Sequence, residues 1–134
     1  MTSPSLETVR LFLHVIAAAV WVGGQVVLGA LVPTIRRTAP DALRLVARAY
    51  ARVAWPAFGL TVITGIWSMM AIDITATSGS YQGTLLLKIG VAILSGVFAA
   101  VHSAGRSKAA LAIGGALGAL TSLVAMFLGV LLHS

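Results

Sequence analysis

The chain has 134 residues, 59% of them hydrophobic and only 9% charged, with a mean hydropathy of +1.02, whereas soluble domains carry ~25% charged residues. That balance excludes a water-soluble fold, and the length leaves no room for a separate soluble domain, which needs ~50 or more residues. The net charge of +6 sits mostly in short segments beside apolar runs, the pattern that orients a membrane protein, so the expected partner is the lipid bilayer and not nucleic acid. With no cysteine, disulfides, thiolate metal sites and covalently attached haem are excluded.

Four apolar runs, near 10–32, 53–72, 84–104 and 109–132, each approach the ~20 residues that cross a bilayer. The first follows Met1-Thr2-Ser3-Pro4-Ser5, where Ser5 or Thr2 is placed to cap a helix and Glu7 suits its positive first turn. The run is longer than a signal-peptide core and has Glu7 beside Arg10, so a retained helix is expected over about 7–33, ending near Val32-Pro33. Thr34 to Arg52 then holds Arg36, Arg37, Arg44, Arg48 and Arg52 against one acid, Asp41. Pro40 suits a first helical turn, so the second helix is expected over about 40–73, beginning before the membrane. Within it Trp55-Pro56 reads as an interface anchor and kink point, and Trp67 as an anchor or site wall near the other end.

Asp73 to Gln82 is polar and lacks a basic residue, whereas Ser103 to Lys108 is basic again. The third and fourth helices are expected over about 83–104 and 107–133. The positive-inside rule puts both basic connections in the cytoplasm and both termini outside. The fold class expected is thus all-α: a single-domain integral membrane four-helix bundle over residues 1–134, its short connections favouring antiparallel neighbours. Gly23-Gly24, Gly29-Ala30 and Gly114-Gly115-Ala116-Leu117-Gly118 are small surfaces for close helix packing, and Gly114-x-x-x-Gly118 also suits a dimer face.

Each helix carries one polar seam. Steps of seven link Lys88, Ser95 and His102 on the third helix; His14, Ala18, Trp21 and Gln25 share a face of the first. Thr61, Thr64 and Ser68 form the seam of the second helix, and Ser122, Met126 and His133 that of the fourth. An ammonium one turn inside an apolar run is costly, so Lys88 either snorkels to the external head groups or pairs with an anion inside the bundle. Counting depth at ~1.5 Å per residue, His14, Lys88, Met126, Trp67, Met69 and Met70 belong to one outer layer, with Asp73 above it, His133 at its rim and His102 at the opposite end.

A set of imidazoles and thioethers without thiols suits two occupants, Cu(I) and haem iron. For copper the ligands expected are His14, Met126, Met69 or Met70, and His133. For haem b, His14 is the axial ligand, Ala17 and Ala18 make room for the plane, Lys88 neutralises a propionate, and Trp21 and Trp67 wall the site. The competing readings are structural: a membrane His that hydrogen-bonds across helices, Met as core filler, and Asp73 as a loop-end cap. No nucleophile, carboxylate pair or phosphate loop points to an enzyme.

Leu13-His14, Trp21-Val22-Gly23-Gly24, Val32-Pro33 with Arg36, Thr64-Gly65-Ile66-Trp67 and Leu86-Leu87-Lys88 together resemble the copper resistance D domain family of bacterial inner-membrane proteins. The match covers about three of the four helices. That resemblance implies copper movement across, or delivery at, the bacterial cytoplasmic membrane. Members of that family are often longer, which implies a homodimer or another membrane or periplasmic copper protein as partner. A more distant likeness is to haem-binding protoporphyrinogen oxidases of the HemJ type, and it implies His14 as haem ligand with Lys88 supporting activity.

Overall fold

The computed structural model describes residues 3–134. It contains four long helices, α1 (Leu6–Thr38), α2 (Leu43–Met70), α3 (Gly79–Ala104) and α4 (Lys108–His133), with short 3-10 turns at Pro40–Ala42 and Ile74–Ala76. Each helix, α2 taken together with the 3-10 turn before it, is long and apolar enough to cross a membrane. The chain is an all-helical, multi-pass membrane protein. It divides into two compact units, Met1–Asp73 and Ile74–Ser134, each a helical hairpin.

In the first hairpin, α1 starts in a capping box. Ser5 Oγ accepts from the Thr8 N–H, and Thr8 Oγ1 accepts from the Ser5 N–H, both at 3.2 Å. Thr2, the other expected cap, lies outside the described residues. Glu7 stands in the first turn and reaches Arg10 at 3.5 Å. The helix runs past Pro33 to Thr38, beyond the expected end. Pro33 removes one backbone donor and crowds the carbonyl one turn back, while Arg36 and Arg37 in the last turn complement the negative end of the dipole, and Thr38 Oγ1 donates to Thr34 O at 2.7 Å.

The other boundaries also have local causes. Pro40 opens the 3-10 turn that leads into α2, which continues through Pro56. It closes at Met70, short of the expected 73, where the Ala71 N–H is shared between Trp67 O and Ser68 O. In the second hairpin α3 begins at Gly79, ahead of the expected 83, because Ser78 caps it by accepting from the Tyr81 N–H at 3.1 Å. The Gln82 amide donates to Ile74 O and Thr77 O, which ties the preceding loop to the first turn of α3. Ser107 caps α4 through the Ala110 N–H at 3.0 Å.

The two hairpins use different packing chemistry. Between α1 and α2 the contact is aromatic: Trp21, 4% exposed, lies 5.3 Å from Trp55 and 4.6 Å from Phe58, ring centre to ring centre. Trp55, expected as an interface anchor, therefore spends part of its surface on Trp21 and keeps 36% exposed. Tyr50 donates its hydroxyl to Trp21 O at 3.2 Å, and its ring occupies the space that a side chain at Gly24 would fill. Between α3 and α4 the contact is made by small residues, with Ser95, Gly96, Gly114, Gly118 and Ser122 all buried. A Cβ at Gly114 would stand 2.9 Å from the His102 backbone N. The Gly114-x-x-x-Gly118 surface is thus buried, Gly114 against the α3 backbone, where small residues allow the close approach that holds membrane helices together.

Candidate functional site

His14 sits in the third turn of α1, half-buried, facing α2. Its Nδ1 lies 2.8 Å from Oγ1 of Thr64, a residue only 2% exposed. The Thr64 hydroxyl has one proton, and that proton is directed at the backbone: Leu60 O lies 2.7 Å away and Thr61 O 3.2 Å. With its proton on a backbone carbonyl, the Thr64 hydroxyl is placed to accept from a His14 Nδ1–H, the tautomer that puts the lone pair on Nε2. Gly65 stands beside the ring. A Cβ there would be 3.6 Å from His14 Cε1, an ordinary contact, so alanine fits beside the imidazole.

A histidine whose Nδ1–H is held by a protein oxygen is prepared to ligate through the other nitrogen. Met69 lies one helical turn beyond Gly65 on the same face of α2 and is half-buried, whereas Met70 is 81% exposed. Consecutive helical residues point ~100° apart, so these two thioethers cannot serve one centre equally. In the first hairpin His14, Thr64, Gly65 and Met69 form the candidate constellation. Trp67 is half-buried on α2 and Asp73 is exposed past the helix end. Trp21 lies one heptad from His14 on α1, buried under Trp55 and Phe58, with its carbonyl accepting from Gln25 Nε2 as well as from Tyr50.

The Lys88, Ser95 and His102 seam faces α4. A Cβ at Gly129 would stand 3.2 Å from the Lys88 ammonium, so glycine is what lets that side chain lie against α4. The carbonyl of the same Gly129 accepts from His133 Nδ1 at 2.9 Å. At the other end His102 lies over Gly114 and Gly115 and donates from Nδ1 to Leu111 O at 2.6 Å. Carbonyls only accept, so these two imidazoles also carry their protons on Nδ1. Among the described residues Lys88 has no ion pair, whereas Glu7 and Arg10 form one. Met126 is 37% exposed and His133 is exposed. Among the described residues no three His, Cys, Asp or Glu side chains gather as a metal-binding group.

Thr64 appears in the sequence as one of three hydroxyls on a seam and as the start of Thr64-Gly65-Ile66-Trp67, and its pairing with His14 follows from a helix register that spacing does not supply. Tyr50 and Gly129 carry no signal in a single sequence, since each acts through what the tertiary packing puts opposite it. Comparison with protein-family models, with curated proteins and with solved structures returns no match to this chain.

Proposed function

We propose that this protein binds copper as Cu(I) and passes it on at a bacterial cytoplasmic membrane, with His14 Nε2 as the principal ligand. The observation that carries the reading is the His14 and Thr64 hydrogen bond, which leaves the lone pair on Nε2 and holds the ring in place. Met69 is the thioether on the same hairpin, and a soft ligand of this kind with an imidazole suits Cu(I). Met70, Met126 and His133 are further candidates, and Lys88 contributes positive charge. Orientation with both termini outside follows from the basic segments Thr34 to Arg52 and Ser103 to Lys108. The resemblance to copper resistance D domain proteins supports the same assignment, and a homodimer or a periplasmic copper protein is the corresponding partner.

A second reading, haem b with His14 as axial ligand, is supported by the same histidine and by the more distant likeness to HemJ-type proteins. One experiment separates the two. The protein purified in detergent is titrated anaerobically with Cu(I) against a chromophoric chelator and its absorption spectrum recorded. Stoichiometric Cu(I) binding that disappears in His14→Ala supports copper, and a Soret band that disappears in the same variant supports haem. A protein that binds neither is a helical scaffold.

A further inference from the structure

Residues 74–134 contain no aspartate or glutamate, and the three acids of the chain, Glu7, Asp41 and Asp73, all belong to the first hairpin. The second hairpin thus offers Lys88 no counter-ion, and among the described residues Lys88 forms no ion pair. A lysine that only snorkels runs freely along lipid. This one is laid on α4: a Cβ at Gly129 would stand 3.2 Å from Lys88 Nζ and 3.4 Å from Cε. The same glycine holds the exposed His133, whose Nδ1 lies 2.9 Å from Gly129 O. A carbonyl only accepts, so Nδ1 carries a proton and the neutral ring has its lone pair on Nε2. A fixed cationic donor and a ring acceptor are therefore both anchored at Gly129.

Depth says what can reach them. α4 has 26 residues and so a length of ~39 Å, against a hydrocarbon core of ~30 Å. With the helix centred, roughly three residues stand outside at each end, which puts Gly129 close to the hydrocarbon edge and His133 among the head groups. By the same count the Lys88 backbone lies ~9 Å inside, and its side chain brings the ammonium up to Gly129. An anion at that level is a lipid phosphate. A phosphodiester has no proton to give Nε2, so the matching head group also carries a hydroxyl. We propose that the His133 end of the second hairpin binds one phospholipid with a hydroxyl-bearing head group, its phosphate on the Lys88 ammonium and its hydroxyl donating to His133 Nε2. The site uses no residue of the first hairpin, and so stands or falls separately from copper binding at His14.

The full chain in neutral detergent is offered phosphatidylglycerol, phosphatidylethanol and phosphatidylcholine with identical acyl chains, and the retained lipid is weighed by native mass spectrometry. One phosphatidylglycerol is retained ahead of phosphatidylethanol, which has the charge without the hydroxyl, and that ahead of phosphatidylcholine, each step being about fivefold. Lys88→Gln brings both anionic lipids down to the level of phosphatidylcholine. His133→Phe makes the two anionic lipids equal and leaves both above phosphatidylcholine. A Lys88→Gln protein that keeps its helical circular dichroism and still prefers anionic lipid places the attraction on the arginines and overturns the site. A His133→Phe protein that still separates the two anionic lipids overturns it as well. So does equal retention of all three lipids by the native chain, or displacement of the lipid by inorganic phosphate alone, which marks a soluble-anion site.

Discussion

The Nδ1 of His14 and the Oγ1 of Thr64, 2.8 Å apart and fifty positions apart in the chain, tie α1 to α2 and leave Nε2 as the ring nitrogen outside that bond. When the Thr64 proton goes to a backbone carbonyl of its own helix, the hydroxyl accepts from the ring. Replacing Thr64 with valine keeps the shape and removes the acceptor. Thr64→Val is expected to weaken Cu(I) binding by ~10–100-fold, the usual cost of losing the group that orients a ligating histidine, while Thr64→Ser retains it. Chelator competition measures both, and an unchanged affinity in the valine variant would sink the orienting role.

The same substitution tests how much the bond contributes to folding. Cross-helix hydrogen bonds in membranes average only ~0.6 kcal/mol, so Thr64→Val should shift hairpin stability little while changing ligand affinity. Unfolding in mixed micelles gives the number. A loss of several kcal/mol would show the pair to be a structural pin first.

Glycines of α1 and α4 divide by what lies opposite them. A Cβ at Gly114 would meet the His102 backbone at 2.9 Å, whereas one at Gly23 would meet nothing within 4 Å. Gly114→Ala is expected to cost ~1–3 kcal/mol because backbone cannot yield to it. Gly23→Ala should be neutral or stabilise by up to ~1 kcal/mol through helix propensity. Thermal unfolding followed by circular dichroism compares the two, and equal effects would contradict the packing described.

Lys88 lies against Gly129 with no carboxylate paired to it among the described residues. An ammonium within a spanning helix costs up to ~3 kcal/mol on insertion, so Lys88→Met should raise the inserted fraction in a glycosylation-based assay. Gly129→Leu should expel the ammonium from α4 and raise its reactivity toward amine reagents. Unaltered labelling in that variant would show that the side chain does not depend on the glycine notch.

The native chain has no cysteine, so single introduced thiols report topology cleanly. Ala76→Cys is expected to react with an impermeant maleimide from the external side, and Ser103→Cys only after the membrane is opened. The reverse pattern would invert the orientation drawn from the arginines.

Hydropathy and periodicity determined that this chain is all-helical, that it has four spans, and that Lys88, Ser95 and His102 share one face of α3, because rise and turn per residue are properties of a single helix. The sequence also offered Ser5 or Thr2 as the first cap, of which the structure has Ser5, and the polar seam through Thr64. It did not show α1 continuing past Pro33, because a proline reads locally as a stop although a helix can run on through one at a cost. Only the tertiary structure decided what each seam meets: Thr64 and Gly65 beside His14, Gly129 under Lys88, Gly114 under His102, and Tyr50 in the space above Gly24. A helix's own pattern sets direction and depth, but which glycine or hydroxyl stands across from a side chain depends on how two helices register against one another. That register is settled by packing between segments distant in the chain.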